Sequence, residues 1–185
     1  GYGDGIKPHM PVLQSLQSEG LTFDNAWAYP VCSPTRSSIL TGRHGFRTGV
    51  LSAVPPENAI PMGETSLHAL LAARASYNSA LIGKWHLSGS SNGDADSPAR
   101  LGIDHYAGLL TGSHQSYHTV RLTQNGVGST VNQYATTLFT DLALSWLEDQ
   151  ASPWFLWLAY TAPHAPFHLP PDSLHYSQGL SDDPA

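Results

Sequence analysis

The sequence predicts an α/β fold, with helices layered on a mainly parallel central sheet. Three observations carry that expectation. Helix-like and strand-like periodicities alternate along the chain, each long helical stretch leads into a short apolar strand, and there is no internal repeat. The first element runs from Met10 to Leu16, where Met10, Leu13 and Leu16 recur every third position, and Gly20 stops it. Leu21 to Trp27 alternates apolar and polar residues, the period of a half-buried strand. Pro34 to Leu40 starts a helix just after Cys32, with Pro34 near its first turn. Glu64 to Ser76 is amphipathic through Leu67, Leu70 and Leu71, and leads into the buried-strand candidate Ser79 to Ile82. Ser88 to Ser97 is rich in Gly, Ser, Asn and Asp and reads as a loop. Gly108 to Thr130 is polar, glycine-spotted and without a clear period, so an irregular surface excursion is expected. Gln133 to Gln150 is the strongest helix, with Tyr134, Leu138, Leu142 and Trp146 at every fourth position. Pro153 ends it, and Trp154 to Tyr160 reads as a strand buried on both faces.

Composition narrows the function. The 185 residues, 41% apolar and 10% aromatic, are enough for one domain with a real core. Only 12% are charged, 8 basic against 14 acidic, for a net charge of -6. Such a chain lacks the basic footprint of a nucleic-acid binder. The longest apolar run, Trp154 to Tyr160, is too short to span a bilayer. A single cysteine permits neither an internal disulfide nor a four-thiolate zinc site. The chain opens at Gly1 with no readable signal peptide and closes on the loop-like Leu180 to Ala185. It is therefore expected to be an internal piece of a longer protein.

Three segments carry residues suited to chemistry. Cys32 lies just before a helix N-terminus, where free backbone N–H groups favour negative charge, and Arg36 falls one turn on. That arrangement suits an anion and a nucleophile that must lose a proton, although a buried free cysteine acting as a small hydrophobe fits equally. Lys84 and His86 follow the apolar strand end Ala80-Leu81-Ile82, the end at which α/β sheets bind ligands. Alternatively, Lys84 extends to water and His86 is structural. His164 follows the other apolar strand and is held between Pro163 and Pro166. His164 and His168 are four apart, but the prolines argue against the helix that a zinc site at that spacing needs. A proline-rich loop with incidental histidines is the alternative here. Together the three segments offer a nucleophile, two cations and imidazoles on one sheet edge. That set suits binding and cleaving a tetrahedral oxyanion ester.

These residues resemble a known family. Cys32-Ser33-Pro34-Thr35-Arg36, followed by Thr41-Gly42-Arg43, looks like the C-x-P-x-R signature of the type I, formylglycine-dependent sulfatases. Gly83-Lys84-Trp85-His86-Leu87 and Pro163-His164-Ala165-Pro166-Phe167 resemble the second and third motifs of that family. Gly1-Tyr2-Gly3-Asp4 is similar to the stretch after its N-terminal Asp-Asp pair, and Gly102-Ile103-Asp104-His105-Tyr106 to another family segment. The order is preserved along nearly the whole chain. One departure is Leu87-Ser88-Gly89, where a glycine commonly follows the leucine.

The resemblance implies an arylsulfatase-like sulfuric ester hydrolase on an alkaline-phosphatase-like fold. Residues 1–185 would be the N-terminal portion of the catalytic domain, without its first strand and C-terminal part, and inactive alone. It implies that Cys32 is oxidised to formylglycine by a formylglycine-generating enzyme that reads the signature before folding. One hydroxyl of the hydrated aldehyde then attacks sulfur and expels the alcohol, and the second eliminates sulfate from the sulfo-enzyme. By position, Arg36 would stabilise the hydrated form and Lys84 bind it together with the sulfate. His86 would take the proton of the second hydroxyl, and His164 would meet the leaving oxygen. A calcium ion is implied too, with residue 32 as its ligand here and the remaining ligands outside residues 1–185. The implied substrate is a small-molecule or carbohydrate sulfate ester, and the implied compartment is periplasmic or extracellular. A phosphatase or phosphodiesterase of the same superfamily and a non-catalytic binding homologue are the competing expectations.

Overall fold

A computed structural model describes residues 10–151 and 153–175. Gly1 to Asp4 and Leu180 to Ala185, noted above, lie outside the described residues. The chain divides into two units, residues 1–28 with 168–185, and residues 29–167.

In the first unit, α1 spans Pro11–Glu19, with proline in its first turn, and buries none of its residues. A short turn of 3-10 helix follows at Asp172–Leu174. The strand expected over Leu21 to Trp27 does not form, and Trp27 is 94% exposed. Alternation alone does not make a strand. It needs a neighbour to satisfy its backbone, and no described strand pairs with this stretch.

The second unit holds the sheet. Helix α2 covers Cys32–Thr41 and ends at Gly42, whose φ of +67° lets its N–H close onto the Ser38 carbonyl. A single turn, α3, follows at Gly45–Thr48. The next helix, α4, spans Leu67–Ala75, starting later than Glu64 because the Ser66 hydroxyl caps it by accepting from the Ala69 N–H. Strand β1 is Asn78–Lys84. The expected loop from Ser88 to Ser97 is irregular, with short 3-10 turns, and leads into α5 at Ser97–Arg100. Strands β2 (His105–Leu109), β3 (Val120–Gln124) and β4 (Val127–Val131) precede α6 (Ala135–Glu148), and β5 (Trp154–Ala159) closes the sequence of elements.

The sheet order is β4-β3-β2-β1-β5. Strand β1 pairs in parallel with both β2 and β5, so the centre is the parallel α/β sheet that the sequence predicts. The β3–β4 hairpin extends it antiparallel on β2, making the whole mixed. This corrects the expectation of an irregular excursion over Gly108 to Thr130. Two-residue alternation along β1 feeds two cores. Leu81 joins Leu40, Trp85 and Tyr106 on one face, while Ile82 joins Val120, Leu138 and Phe139 on the other. Strand β5 is less buried than expected, with most of its residues half-buried, because it is the last strand of the described sheet.

Candidate active site

Strand β1 reaches its C-terminal end between two neighbours that come unusually close. A Cβ at Gly83 would overlap the Ala159 carbonyl on β5, and one at Gly108 would overlap the Gly83 carbonyl. Glycine at both positions, with φ of +112° at Gly83, is what lets three parallel strands converge here. Beyond Lys84 the chain still bonds to the segment after β2, through Trp85 N–H to the Leu109 carbonyl and His86 N–H to the Leu110 carbonyl. His86 itself takes a left-handed backbone, φ +57°. That conformation costs a non-glycine residue about 1–2 kcal/mol. It is held by packing on both sides of the residue.

On one side is the start of α2. The Ser33 hydroxyl donates to the His86 carbonyl at 2.8 Å, and Cys32 Sγ lies 3.1 Å from His86 Nδ1. On the other side is Gly112, where an added Cβ would run into the imidazole ring. The main chain of Ala53 favours the protonated ring, and Nδ1 is the ring atom that faces Cys32. Burial, and then the cations Lys84 and Arg36, lower the His86 pKa to about 4, so the imidazole is neutral near pH 7.

Lys84 is 4% exposed, against the alternative of a side chain reaching water. Burial lowers the pKa of its ammonium, and the neighbouring Cys32 works in the opposite direction. Arg36 is tied down differently from a free anion ligand. Its Nε donates to the Trp85 carbonyl at 2.7 Å, another guanidinium N–H donates to the Lys84 carbonyl, and its plane stacks over Trp157 with 4.8 Å to the ring centroid. Burial lowers its pKa to about 10, which leaves it charged at neutral pH. One guanidinium thus fastens the Cys32 helix to the end of β1.

His164 reaches the same region through the loop after β5. Its N–H bonds the Thr161 carbonyl, its own carbonyl accepts from Tyr117 Oη at 2.7 Å, and its imidazole is close enough to His86 to interact with it electrostatically. Its Nδ1 lies 2.9 Å from the Ala165 carbonyl. His168 belongs to the other unit. The structure therefore gathers Cys32, Arg36, Lys84, His86 and His164 around one sheet edge. The sequence reading missed the residues that hold them: Ser33, Gly112, Tyr117, His114 and Thr161, the last two joined by a 2.7 Å bond between Nε2 and Oγ1. Ser33 stood inside the signature, but nothing local marked the other four.

Among the described residues no three His, Cys, Asp or Glu side chains gather where they could hold a metal ion. The described residues do not by themselves fit a calcium site. A cavity of about 510 Å³ is bordered by Cys32, Arg36 and Trp157, and a second, of about 520 Å³, is walled by residues that include Thr111, Ser113 and His114 and by none of the five site residues.

The sulfatase family model matches residues 1–183. The chain is 31% identical to an uncharacterized sulfatase, YdeN, of Escherichia coli K12, over 91% of this chain and 34% of that protein. It is 30% identical to arylsulfatase J of Mus musculus, over 91% of this chain and 30% of that protein. A solved structure, BT4656 in complex with its substrate D-glucosamine-2-N,6-O-disulfate, superposes with a TM-score of 0.69 at 29% identity. It covers 84% of this chain and 30% of that one. The chain thus spans about a third of the length of the curated relatives it matches.

Proposed function

The chain belongs to the sulfatase family, and from that premise we propose that it forms the nucleophile-bearing, N-terminal portion of a catalytic domain that hydrolyses sulfate monoesters. The observation that carries the reading is the convergence on Cys32: a neutral imidazole within hydrogen-bonding reach and a buried ammonium that acts on the same side chain electrostatically, at a helix start. An ammonium beside the first turn of α2 favours an anion there, and the neutral imidazole can accept a proton.

Cys32 is proposed to mature to formylglycine, with a formylglycine-generating enzyme as partner. Hydrated, that residue supplies one hydroxyl to attack sulfur and a second whose proton is lost as sulfate departs. Lys84 neutralises the sulfate oxygens. His86, through Nδ1, accepts the proton from residue 32. Arg36 positions the helix carrying residue 32 and adds its field. His164 meets the ester on the leaving-oxygen side. Calcium, if bound by the full-length protein, would take residue 32 as its one ligand from these residues, and no step assigned here passes through it. The substrate is a small-molecule or carbohydrate sulfate ester. The sugar disulfate bound by BT4656 favours a carbohydrate. The compartment is periplasmic or extracellular; no helix of the described residues is long and apolar enough to cross a membrane.

Peptide mass spectrometry of residue 32, in full-length protein from its native host, tests the reading. An aldehyde or its hydrate is expected. An intact thiol in exported protein, from a host that contains the oxidising enzyme, would overturn it in favour of a phosphate-directed or binding role. The Cys32→Ala protein is expected to lose sulfate-ester hydrolysis by about 10³-fold or more; turnover equal to wild type would remove Cys32 from the nucleophile position.

A further inference from the structure

The loop after β5 carries His164 out to the surface. Residues 162–167 are all exposed, so packing does little to fix where the imidazole stands. Two attachments reach this segment from the loop between β2 and β3. At its base, His114 Nε2 lies 2.7 Å from Thr161 Oγ1, both side chains buried, and the Thr161 carbonyl receives the His164 N–H. Further along, Tyr117 Oη donates to the carbonyl of His164 itself at 2.7 Å.

Tyr117 is itself firmly seated. It is 2% exposed, in the core with Ala135 and Phe139, and its own carbonyl accepts from the Ala135 N–H at the start of α6. The His114 ring packs on it, with 4.8 Å between centroids. A buried phenol thus bonds the main chain of an exposed residue, where water is the alternative partner. Such a bond adds modestly to stability, and what it fixes is position. The imidazole's tautomer is set locally. Nδ1 lies 2.9 Å from the Ala165 carbonyl, which can only accept, so Nδ1 carries a proton and Nε2 is the atom left to exchange one.

We propose that Tyr117 is a positioning residue for leaving-group protonation: it holds His164 where Nε2 gives its proton to the departing alcohol, and the His114–Thr161 bond fixes the base of the same loop. The inference rests on the sulfate-ester reading, in which His164 meets the leaving-oxygen side. As the bond from sulfur to the alcohol oxygen breaks, its electron pair stays on that oxygen. The Nε2 proton follows it there, and His164 is left neutral. Placement matters in proportion to the basicity of the oxygen released, since 4-nitrophenolate departs without help and an alkoxide does not. Through His164, Tyr117 thus governs how weakly acidic an alcohol the site can release.

The test compares full-length wild type with Tyr117→Phe on aryl sulfates whose phenols run from 4-nitrophenol to 4-methoxyphenol, and on hexose 6-sulfate. In Tyr117→Phe, kcat/KM for 4-nitrophenyl sulfate should stay within about twofold of wild type. For 4-methoxyphenyl sulfate and the hexose ester it should fall about tenfold, so that log kcat/KM drops more steeply with the acidity constant of the alcohol. In a His164→Ala background the same substitution should steepen that slope no further. A uniform fall on every ester, an unchanged slope, or a further steepening without His164 would overturn the proposal. Should Tyr117→Phe not fold, Thr161→Val, which removes the hydroxyl bonded to His114, is read on the same slope with the same outcomes. Failure of wild type to hydrolyse any of these esters would instead overturn the sulfatase reading, and the proposal with it.

Discussion

At the scale of single residues, the site depends on groups that hold the reacting side chains rather than on those side chains alone. Gly112 is one. Its hydrogen atom is all that fits against the His86 ring, so Gly112→Ala should displace the imidazole from Cys32. An expected fall of about 10–100-fold in kcat with cooperative unfolding retained would follow from a misplacement of that kind. Arg36 is another. Lysine keeps the charge but cannot donate to the Lys84 and Trp85 carbonyls together or stack equally on Trp157. Arg36→Lys should therefore cost about 2 kcal/mol or more in denaturant unfolding. An unchanged midpoint would show that the guanidinium acts through charge alone. The sequence exposed the signature arginine but not its bonding, because main-chain carbonyls of β1 become its partners only once α2 and the sheet have packed.

At the scale of elements, legibility followed packing. Helix α6 and strands β1 and β5 were readable because each has an apolar pattern matched to its period and packs by it; α2 was readable from Pro34 near its start, and α4 from Leu67, Leu70 and Leu71, although His68 is the residue that α4 buries. Strands β2 to β4 were missed although Asn125-Gly126, the usual two-residue hairpin turn, sits between β3 and β4, with φ of +47° and +85°. The signal was present in the sequence, and the glycine-rich, polar composition around it hid it. Glycine in β2 serves close strand approach rather than a loop: Gly108 lies under the Gly83 carbonyl. The matching prediction concerns β1. Gly83→Ala should push β1 away from β5 at the point where Lys84 emerges, at a cost of about 3 kcal/mol or more. Thermal unfolding measures it, and loss of less than 1 kcal/mol (about the cost of a left-handed alanine alone) would show that the strands can separate freely.

At the scale of the whole molecule, His68 ties stability to pH. It is fully buried in α4, edge-on to Phe155 with 4.9 Å between ring centroids, and neither ring nitrogen has a hydrogen-bond partner. Burial lowers its pKa to about 4 from 6.5, with Asp104 opposing. The fold thus keeps His68 neutral where the unfolded chain would protonate. Stability from this group is complete above pH 6.5, is lost as pH falls from 6.5 toward 4, and changes little below that. The loss amounts to about 3 kcal/mol at most. Urea unfolding between pH 4 and pH 8 should show that slope, and His68→Leu should make it shallower, leaving the share of His86, whose pKa is lowered in the same direction.

Strand β5 has a further consequence. Its inner side is fully laddered to β1, while no described strand meets its outer side, and Phe155 to Leu158 are half-buried apolar residues. An open row of amide donors and acceptors on an apolar ribbon is a template for another ribbon of the same kind. Overproduced as these 185 residues alone, the chain should self-associate edge to edge, and light scattering should rise steeply with concentration. A lysine in place of Trp154, exposed at the start of the strand, would slow that growth, which makes solubility, rather than turnover, the first property to secure in any bench study of these residues.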